Sequence, residues 1–214
     1  MLVAIDTSGT MSGLALMRDG ELLAEIAWQS DRRHSEQLLP QLDALCRLVG
    51  VAPADLTHVA VSIGPGSWSG IRVGISVAKG LALANSAHVI GINALDVLAW
   101  PMRHRAPITA CISLGRGRFA TSAYPHPAWP IGTMTPTNCH ISEMHIPADH
   151  LLVYEPHMRT LLPDTVVNHL HHHVAFPQPR TLAEIATHRL RTSPYQPDTV
   201  IEPLYLGEPV QPKP

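Results

Sequence analysis

At 214 residues the chain is long enough for one compact domain or two small lobes and too short for a large multidomain machine. Hydrophobic residues make up 45% and charged residues only 15%, with a mean hydropathy of +0.08, which excludes disorder along the whole length. Lys+Arg total 15 and Asp+Glu 17, a formal net charge of −2 with no basic stripe, so nothing points to autonomous nucleic-acid binding.

In chain order, Leu2 to Asp6 is a short apolar run ending in an acid. It lacks a basic n-region and Asp6 interrupts it, so it does not read as a secretory signal. Gly13 to Met17 and Glu21 to Trp28 flank Arg18-Asp19-Gly20, and Asp-Gly between two such runs predicts a hairpin, hence three antiparallel strands. Leu38, Leu39, Leu42, Leu45, Cys46 and Val49 recur at intervals of three and four, which predicts an amphipathic helix over Ser35 to Val49, closed by Gly50. Pro40 either kinks that helix or marks its first turn.

Thr57 to Ile63 is a β-type run, and Gly64-Pro65-Gly66 then turns the chain. Ser67 or Ser69 is placed to cap a helix running to Ala84. His88 to Ile92 reads as a strand and Asn93 as the cap of another helix. The order β-β-β-α-β-α-β-α is that of a ribonuclease-H-like lobe. Near residue 100 the composition changes: 10 of 14 glycines precede it, whereas 17 of 20 prolines and 11 of 14 histidines follow. A lobe boundary is therefore expected near Pro101 to Pro107, dividing residues 1–104 from a smaller, more irregular lobe at 105–214. Ser113 and Phe119 to Tyr124 begin what reads as a reduced second copy of the first hairpin, and Thr181 to Arg191 reads as a late helix.

Three cysteines, Cys46, Cys111 and Cys139, lie far apart with no C-x-x-C pair, which fits a reduced cytoplasmic chain. The longest uncharged windows carry Asn, Ser, His or several prolines and do not read as membrane spans.

Asp6-Thr7-Ser8 sits where a first strand ends. Alone it fits an ordinary turn; with the small residues and hairpin of VAIDTSGTMSGLALMRDGEL it looks like the first phosphate loop of the actin, hexokinase and Hsp70 class. The stretch SIGPGSWSGIRVGISVAKGLALA has glycines before a helix N-terminus, as anion-binding loops do, but no G-K-[ST] follows and Lys79 lies nine residues past Gly70. Gly70, Gly74, Ala78 and Ala82 fall at successive i+4 positions, so one helix face is nearly bare. Glycine inside a helix costs roughly 1 kcal/mol relative to alanine, so a close contact is needed there, either with the helix's own sheet or with a partner helix.

VAIDTS, RRHSEQLLPQLDAL, SIGPGSWSGIRVGISVAKGLALA and the closing PLYLGEPV together resemble the bacterial TsaB family, also called YeaZ. The resemblance implies an actin-like (ASKHA) α/β fold of two ribonuclease-H-like lobes. It also implies a pseudo-enzyme with no catalytic residue, metal or cofactor of its own. Such a subunit pairs with the TsaD enzyme, which transfers a threonylcarbamoyl group to N6 of the adenosine beside the anticodon of tRNA. A TsaE-type ATPase joins the larger complex, tRNA is met only indirectly, and the chain alone is expected to form a homodimer. The family's docking surface lies on the first helix and on the helix after G-P-G. By resemblance the partner interface is His34, Ser35, Glu36, Leu38, Leu39 and Leu42 with Gly70, Gly74 and Ala78. On that expectation Gly74→Leu abolishes association and leaves the fold intact. Asp6, Thr7 and Ser8 become a vestigial phosphate loop. The sequence departs from the family pattern at Ser113, where an acid is usual, and at Gly207, where Arg is frequent.

An active actin-like phosphotransferase needs glycine-rich loops in both lobes, and residues 101–214 hold only Gly115, Gly117, Gly132 and Gly207. The alternative function, a small-molecule or sugar kinase of this fold with Asp6 at its phosphate or metal, therefore ranks second. His169 and His173 have metal-ligand spacing only if their segment is helical, and His140 with His145 makes no better pair. Gly115-Arg116-Gly117-Arg118 reads as a solvated hairpin tip. Trp28, Trp68 and Trp100 read as core or interface residues, with Trp68 exposed beside the glycine turn.

Overall fold

The computed structural model describes residues 1–31, 33–125, 129, 132–169, 171–176, 178–192 and 200–206. Its first half is built on β1 (Leu2–Asp6), β2 (Met11–Arg18), β3 (Glu21–Gln29), β4 (His58–Gly64) and β5 (His88–Asn93), in sheet order β3-β2-β1-β4-β5. The first three strands are antiparallel, and β4 and β5 run parallel to β1. The hairpin is set where the sequence indicates: Asp19 and Gly20 take φ of 54° and 92°, the left-handed pair that a two-residue turn of matching twist requires.

Alternation along β1 and β4 divides the lobe into two cores. Val3, Ile5, Val59 and Val61 face α1 (His34–Leu48) and α2 (Trp68–Asn85), meeting Leu38, Leu42, Ile71 and Ile75. Leu2, Ala4 and Ala60 face the opposite side, where Leu182, Ile185 and Ala186 of the last helix lie. Pro40 stands inside α1, where its missing N–H interrupts the hydrogen-bond ladder without ending the helix. Ser67 caps α2, its Oγ accepting from Gly70 N at 3.3 Å, and Asn93 caps α3 (Ala94–Ala99), its Oδ1 accepting from Leu95 N at 2.9 Å.

The second half repeats the pattern. Strands β6 (Ile108–Gly115), β7 (Arg118–Tyr124), β8 (Thr137–His140), β9 (Leu151–Tyr154) and β10 (His172–Val174) are ordered β10-β9-β6-β7-β8. Again the first three are antiparallel and the last two parallel to the first. This duplicated five-strand unit is an actin-like α/β arrangement. Among the described residues the copy is thinner: β8 to β10 span only three or four residues each, and α4 (Asp164–His169) only six. All six residues of α3 are buried between the sheets, and its Asp96 accepts bonds from Tyr124 Oη at 2.8 Å and Gly132 N at 3.1 Å.

The chain crosses the expected boundary near Pro101 to Pro107 and later returns. Helix α5 (Pro179–Thr192) packs on β1 and β2, and Ile201 joins the first core. Residues 179–192 thus belong by packing to the first sheet. None of the three cysteines is in a disulfide.

Candidate functional site

The two longest-range motifs of the first half meet at the carboxyl ends of β1 and β4. Ser67 N donates to Ser8 O at 2.6 Å, which lays the glycine turn against the Asp6-Thr7-Ser8 loop. The glycines are required by this approach. A methyl group on Gly66 would lie 2.1 Å from Ser8 O, on Gly70 1.9 Å from Thr7 O, and on Gly74 2.4 Å from Thr7 Oγ1. Ala78 is fully buried in the first core.

The bare face of α2 therefore meets its own sheet, and the assignment of Gly70, Gly74 and Ala78 to a partner interface is corrected. The same holds for His34, Leu38 and Leu42, which are buried on the inner side of α1. His34 Nδ1 lies 2.9 Å from Ser12 Oγ, and burial pushes its pKa down. Of the nine expected interface residues, Ser35, Glu36 and Leu39 are solvent-exposed, Leu39 by 52%. The physical reason is general: an apolar helical stripe is claimed first by the monomer's core. Gly74→Leu would drive its side chain into Thr7, Val61 and Ile5, so the expectation that it spares the fold is withdrawn.

The outward side of the pair carries Glu36, Leu39, Asp43 and Arg47 on α1, and Trp68, Arg72, Ser76, Lys79 and Leu83 on α2. Trp68 is 58% exposed and Leu83 87%. At the N-terminal end of α2, Arg72 Cζ sits 3.6 Å from the Trp68 ring centroid, and its Nε donates to Tyr205 Oη at 2.8 Å. This cluster brings together residues 133 positions apart, and of its members the sequence points only to an exposed Trp68.

Beside the loop a cleft of about 610 Å³ opens between the lobes, lined by Ser8, Thr10, His34, Trp68, Ser113 and Glu155 among others. Its lining includes no Lys or Arg among the described residues. The Asp6-Thr7-Ser8 hydroxyls are engaged internally: Thr7 Oγ1 donates to Gly70 O at 2.7 Å, and Ser8 Oγ donates to Asp6 Oδ1 at 2.7 Å while accepting from Ser62 Oγ at 3.0 Å. Asp6 Oδ2 is buried without a hydrogen-bond partner among the described residues, and burial raises the Asp6 pKa.

From the second lobe, Glu155 follows β9 and closes over this loop so tightly that a methyl group on Gly9 would lie 2.9 Å from its Oε1. Burial, and then the neighbouring Asp6 charge, push the Glu155 carboxyl up to about 7. His157 Nδ1 stands 3.2 Å from Glu155 Oε2, and burial lowers that imidazole's pKa. The cleft lining thus holds the acids Asp31 and Glu155 and the weakly basic imidazoles of His34 and His157, with buried Asp6 beneath the loop and no Lys or Arg among the described residues to meet a phosphate.

Sequence reasoning does not single out Glu155, although LLVYE repeats the signal of LVAID, four apolar residues and then an acid. The family pattern directs attention to β6 for a second-lobe acid, where Ser113 Oγ instead accepts from Gly115 N at 3.3 Å. Arg116 and Gly117 form a left-handed hairpin tip with Arg116 exposed, as expected of a solvated turn. His169 ends α4 and His173 lies on β10, so the pair does not share a helix; the His169 side chain lies outside the described residues, as does Gly207. Trp28 and Trp100 are partly and fully buried, Trp28 donating to Gln37 Oε1 at 3.0 Å. Among the described residues no group of three or more His, Cys, Asp or Glu is arranged to hold a metal, and no helix is long and apolar enough to cross a membrane.

Residues 21–125 match the family model described as TsaD, tRNA N6-adenosine threonylcarbamoyltransferase. A curated Bacillus subtilis relative, tRNA threonylcarbamoyladenosine biosynthesis protein TsaB, is 33% identical over 124 residues, 58% of this chain and 54% of that protein. A tRNA N6-adenosine threonylcarbamoyltransferase of Nitratidesulfovibrio vulgaris is 37% identical over 110 residues, but these are 44% of this chain and 30% of that enzyme. In fold, YeaZ from Pseudomonas aeruginosa superposes with a TM-score of 0.80 at 22% identity, over 96% of this chain and 99% of that one. The chain spans about half the length of the curated TsaB relatives it matches. The sequence likenesses to the transferase and to TsaB each cover only part of the chain, and the YeaZ likeness covers the fold of both lobes: in sequence the chain is similar to the TsaB (YeaZ) family.

Proposed function

We propose that this protein is a non-catalytic subunit that binds and activates a TsaD-type transferase in threonylcarbamoyl transfer to N6 of the adenosine adjacent to the anticodon of tRNA. The observation that carries this reading is the 33% identity with the Bacillus subtilis TsaB protein. The engaged hydroxyls of residues 7 and 8 and the acidic cleft floor support it over a phosphotransferase of the same fold.

Docking uses the outward side of the α1–α2 pair, through Ser35, Glu36 and Leu39 together with the exposed residues of α2. The buried His34, Leu38, Leu42, Gly70, Gly74 and Ala78 fix the position of that surface from behind. A standard interface covers about 800 Å² on each partner, an area of the order that two helix faces offer. The subunit works in the cytoplasm, meets tRNA only through its partner, takes a TsaE-type ATPase into the larger complex, and self-associates through the same surface when alone.

Reconstitution tests the function. Purified transferase, tRNA and threonylcarbamoyl-adenylate are combined with and without this protein, and the modified nucleoside is quantified after digestion. Modification is expected to rise on addition of the protein. An unchanged yield, together with failure to restore modification in cells depleted of their own TsaB, would overturn the reading.

A further inference from the structure

Trp68 opens α2 in full view of solvent, yet its side chain is held. The Arg72 guanidinium lies one helical turn on at 3.6 Å from its ring centroid. Tyr205 flanks the same cation, with its ring 6.3 Å from that of Trp68 and inclined by 26°. The Tyr205 hydroxyl accepts from Arg72 Nε at 2.8 Å, which holds the guanidinium over the Trp68 ring, with its Cζ 5.9 Å from the Tyr205 ring centroid.

Tyr205 is itself anchored on both lobes. Leu204 N donates to Ile63 O at 2.7 Å on β4, Asn138 of β8 donates through its side chain to Leu206 O, and Ile201 is buried in the first core. The closing segment is therefore a strap whose outcome is a rigid, exposed Trp–Arg–Tyr stack. Exposing a large indole has no advantage for the monomer. Trp, Tyr and Arg are the residues that dominate binding energy at protein interfaces, and side chains immobilised beforehand lose little freedom on docking.

Charge and continuity specify the occupant. The stack begins a solvent-facing stripe of α2, Trp68, Arg72, Ser76, Lys79 and Leu83, that carries two cations and no acid; α1 beside it presents Glu36 and Asp43. The transferase family model matches residues 21–125, which contain both helices, so a transferase subunit has a helix pair of the same build to offer in return.

We infer that Trp68, Arg72 and Tyr205 form the principal anchor of the transferase-docking surface, packing against an apolar patch of the partner while the guanidinium receives one of its carboxylates. Trp68 and Arg72 touch the partner, and Tyr205 is a positioning residue that holds Arg72. The inference rests on the proposed pairing with a TsaD-type subunit and goes beyond it in naming where the affinity resides.

The test is the affinity and dissociation rate of full-length variants for the TsaD-type transferase of the same organism. Trp68→Ala is expected to weaken binding at least about 30-fold, Trp68→Phe to recover part of that loss, and Tyr205→Phe to raise the dissociation rate about 5- to 10-fold with little change in association. Melting temperatures should stay at the wild-type value, and Leu161→Ala, an exposed leucine in the second lobe, should bind as wild type. A wild-type complex that Trp68→Ala leaves within about threefold overturns the anchor and spares the docking face. No wild-type complex at all overturns both. A selective loss of tRNA affinity in Trp68→Ala, with transferase affinity unchanged, overturns the anchor in favour of a base-stacking role.

Discussion

Replacing Gly74 by alanine sets two effects of opposite sign against each other. In a helix interior alanine is favoured over glycine by about 1 kcal/mol. Here the new methyl would sit 2.4 Å from Thr7 Oγ1, 3.5 Å from Val61 Cγ2 and 3.7 Å from Ile5 Cγ2. The hydroxyl has to swing away and give up its 2.7 Å bond to Gly70 O. A buried hydroxyl without a partner costs roughly 1–3 kcal/mol, and overpacking a core typically adds about 1–3 kcal/mol. The clash outweighs the propensity gain, and a net loss of about 1–5 kcal/mol is expected. Gly80, further along α2, is exposed, and a methyl group there would meet nothing within 4 Å, so Gly80→Ala should gain about 0.5–1 kcal/mol. Urea unfolding followed by far-ultraviolet circular dichroism reads both: the midpoint falls for Gly74→Ala and rises for Gly80→Ala. A Gly74→Ala protein as stable as the Gly80→Ala protein would refute the reasoning that approach to β1 imposes glycine.

Three further outcomes follow from the cleft, the interlobe helix and the cap. Glu155 has its folded pKa raised from an ordinary 4.5 to about 7, so the fold binds the extra proton and stability falls as pH rises through that window. The full penalty, about 3 kcal/mol, is present above pH 7; Glu155→Gln, which cannot ionise beside Asp6 and His157, should gain on wild type at pH 8 and match it near pH 4, measured as a difference in melting temperature. Tyr124→Phe removes the 2.8 Å bond to buried Asp96 and should cost about 1–3 kcal/mol in chemical denaturation, an effect absent if that carboxyl is reached by water. Ser67→Ala removes the α2 cap and should cost about 1 kcal/mol by the same assay, with an unchanged midpoint contradicting the assigned role.

Much of the first lobe is legible in the sequence because its signals are local. Asp19-Gly20 specifies its hairpin, the three-and-four spacing specifies α1, and Ser67 and Asn93 mark helix starts with their own side chains. The second sheet is legible only at β6 and β7. Strands β8 to β10 are too short to show alternation, and long-range parallel pairing leaves no mark on neighbouring residues.

The site is harder to read for the same reason. A stripe of glycine and alanine states that something approaches closely but not what, and here the approaching group is Thr7, directly after the protein's own β1. Leu38 and Leu42 share the expected interface with Leu39, yet one helical position decides which of them faces the core. Glu155 and Tyr205 become meaningful only once folding carries them to Asp6 and Arg72, an encounter that no spacing encodes.

The most direct measurement of the central claim is sedimentation velocity of this protein mixed with an equimolar TsaD-type transferase of the same organism, repeated with Leu39→Asp. Leu39 is exposed on α1, so the variant should melt at the wild-type temperature. The account predicts a one-to-one complex for the wild type and separate species for the variant. Two unassociated proteins in the wild-type mixture, or a complex that Leu39→Asp leaves intact, would contradict it.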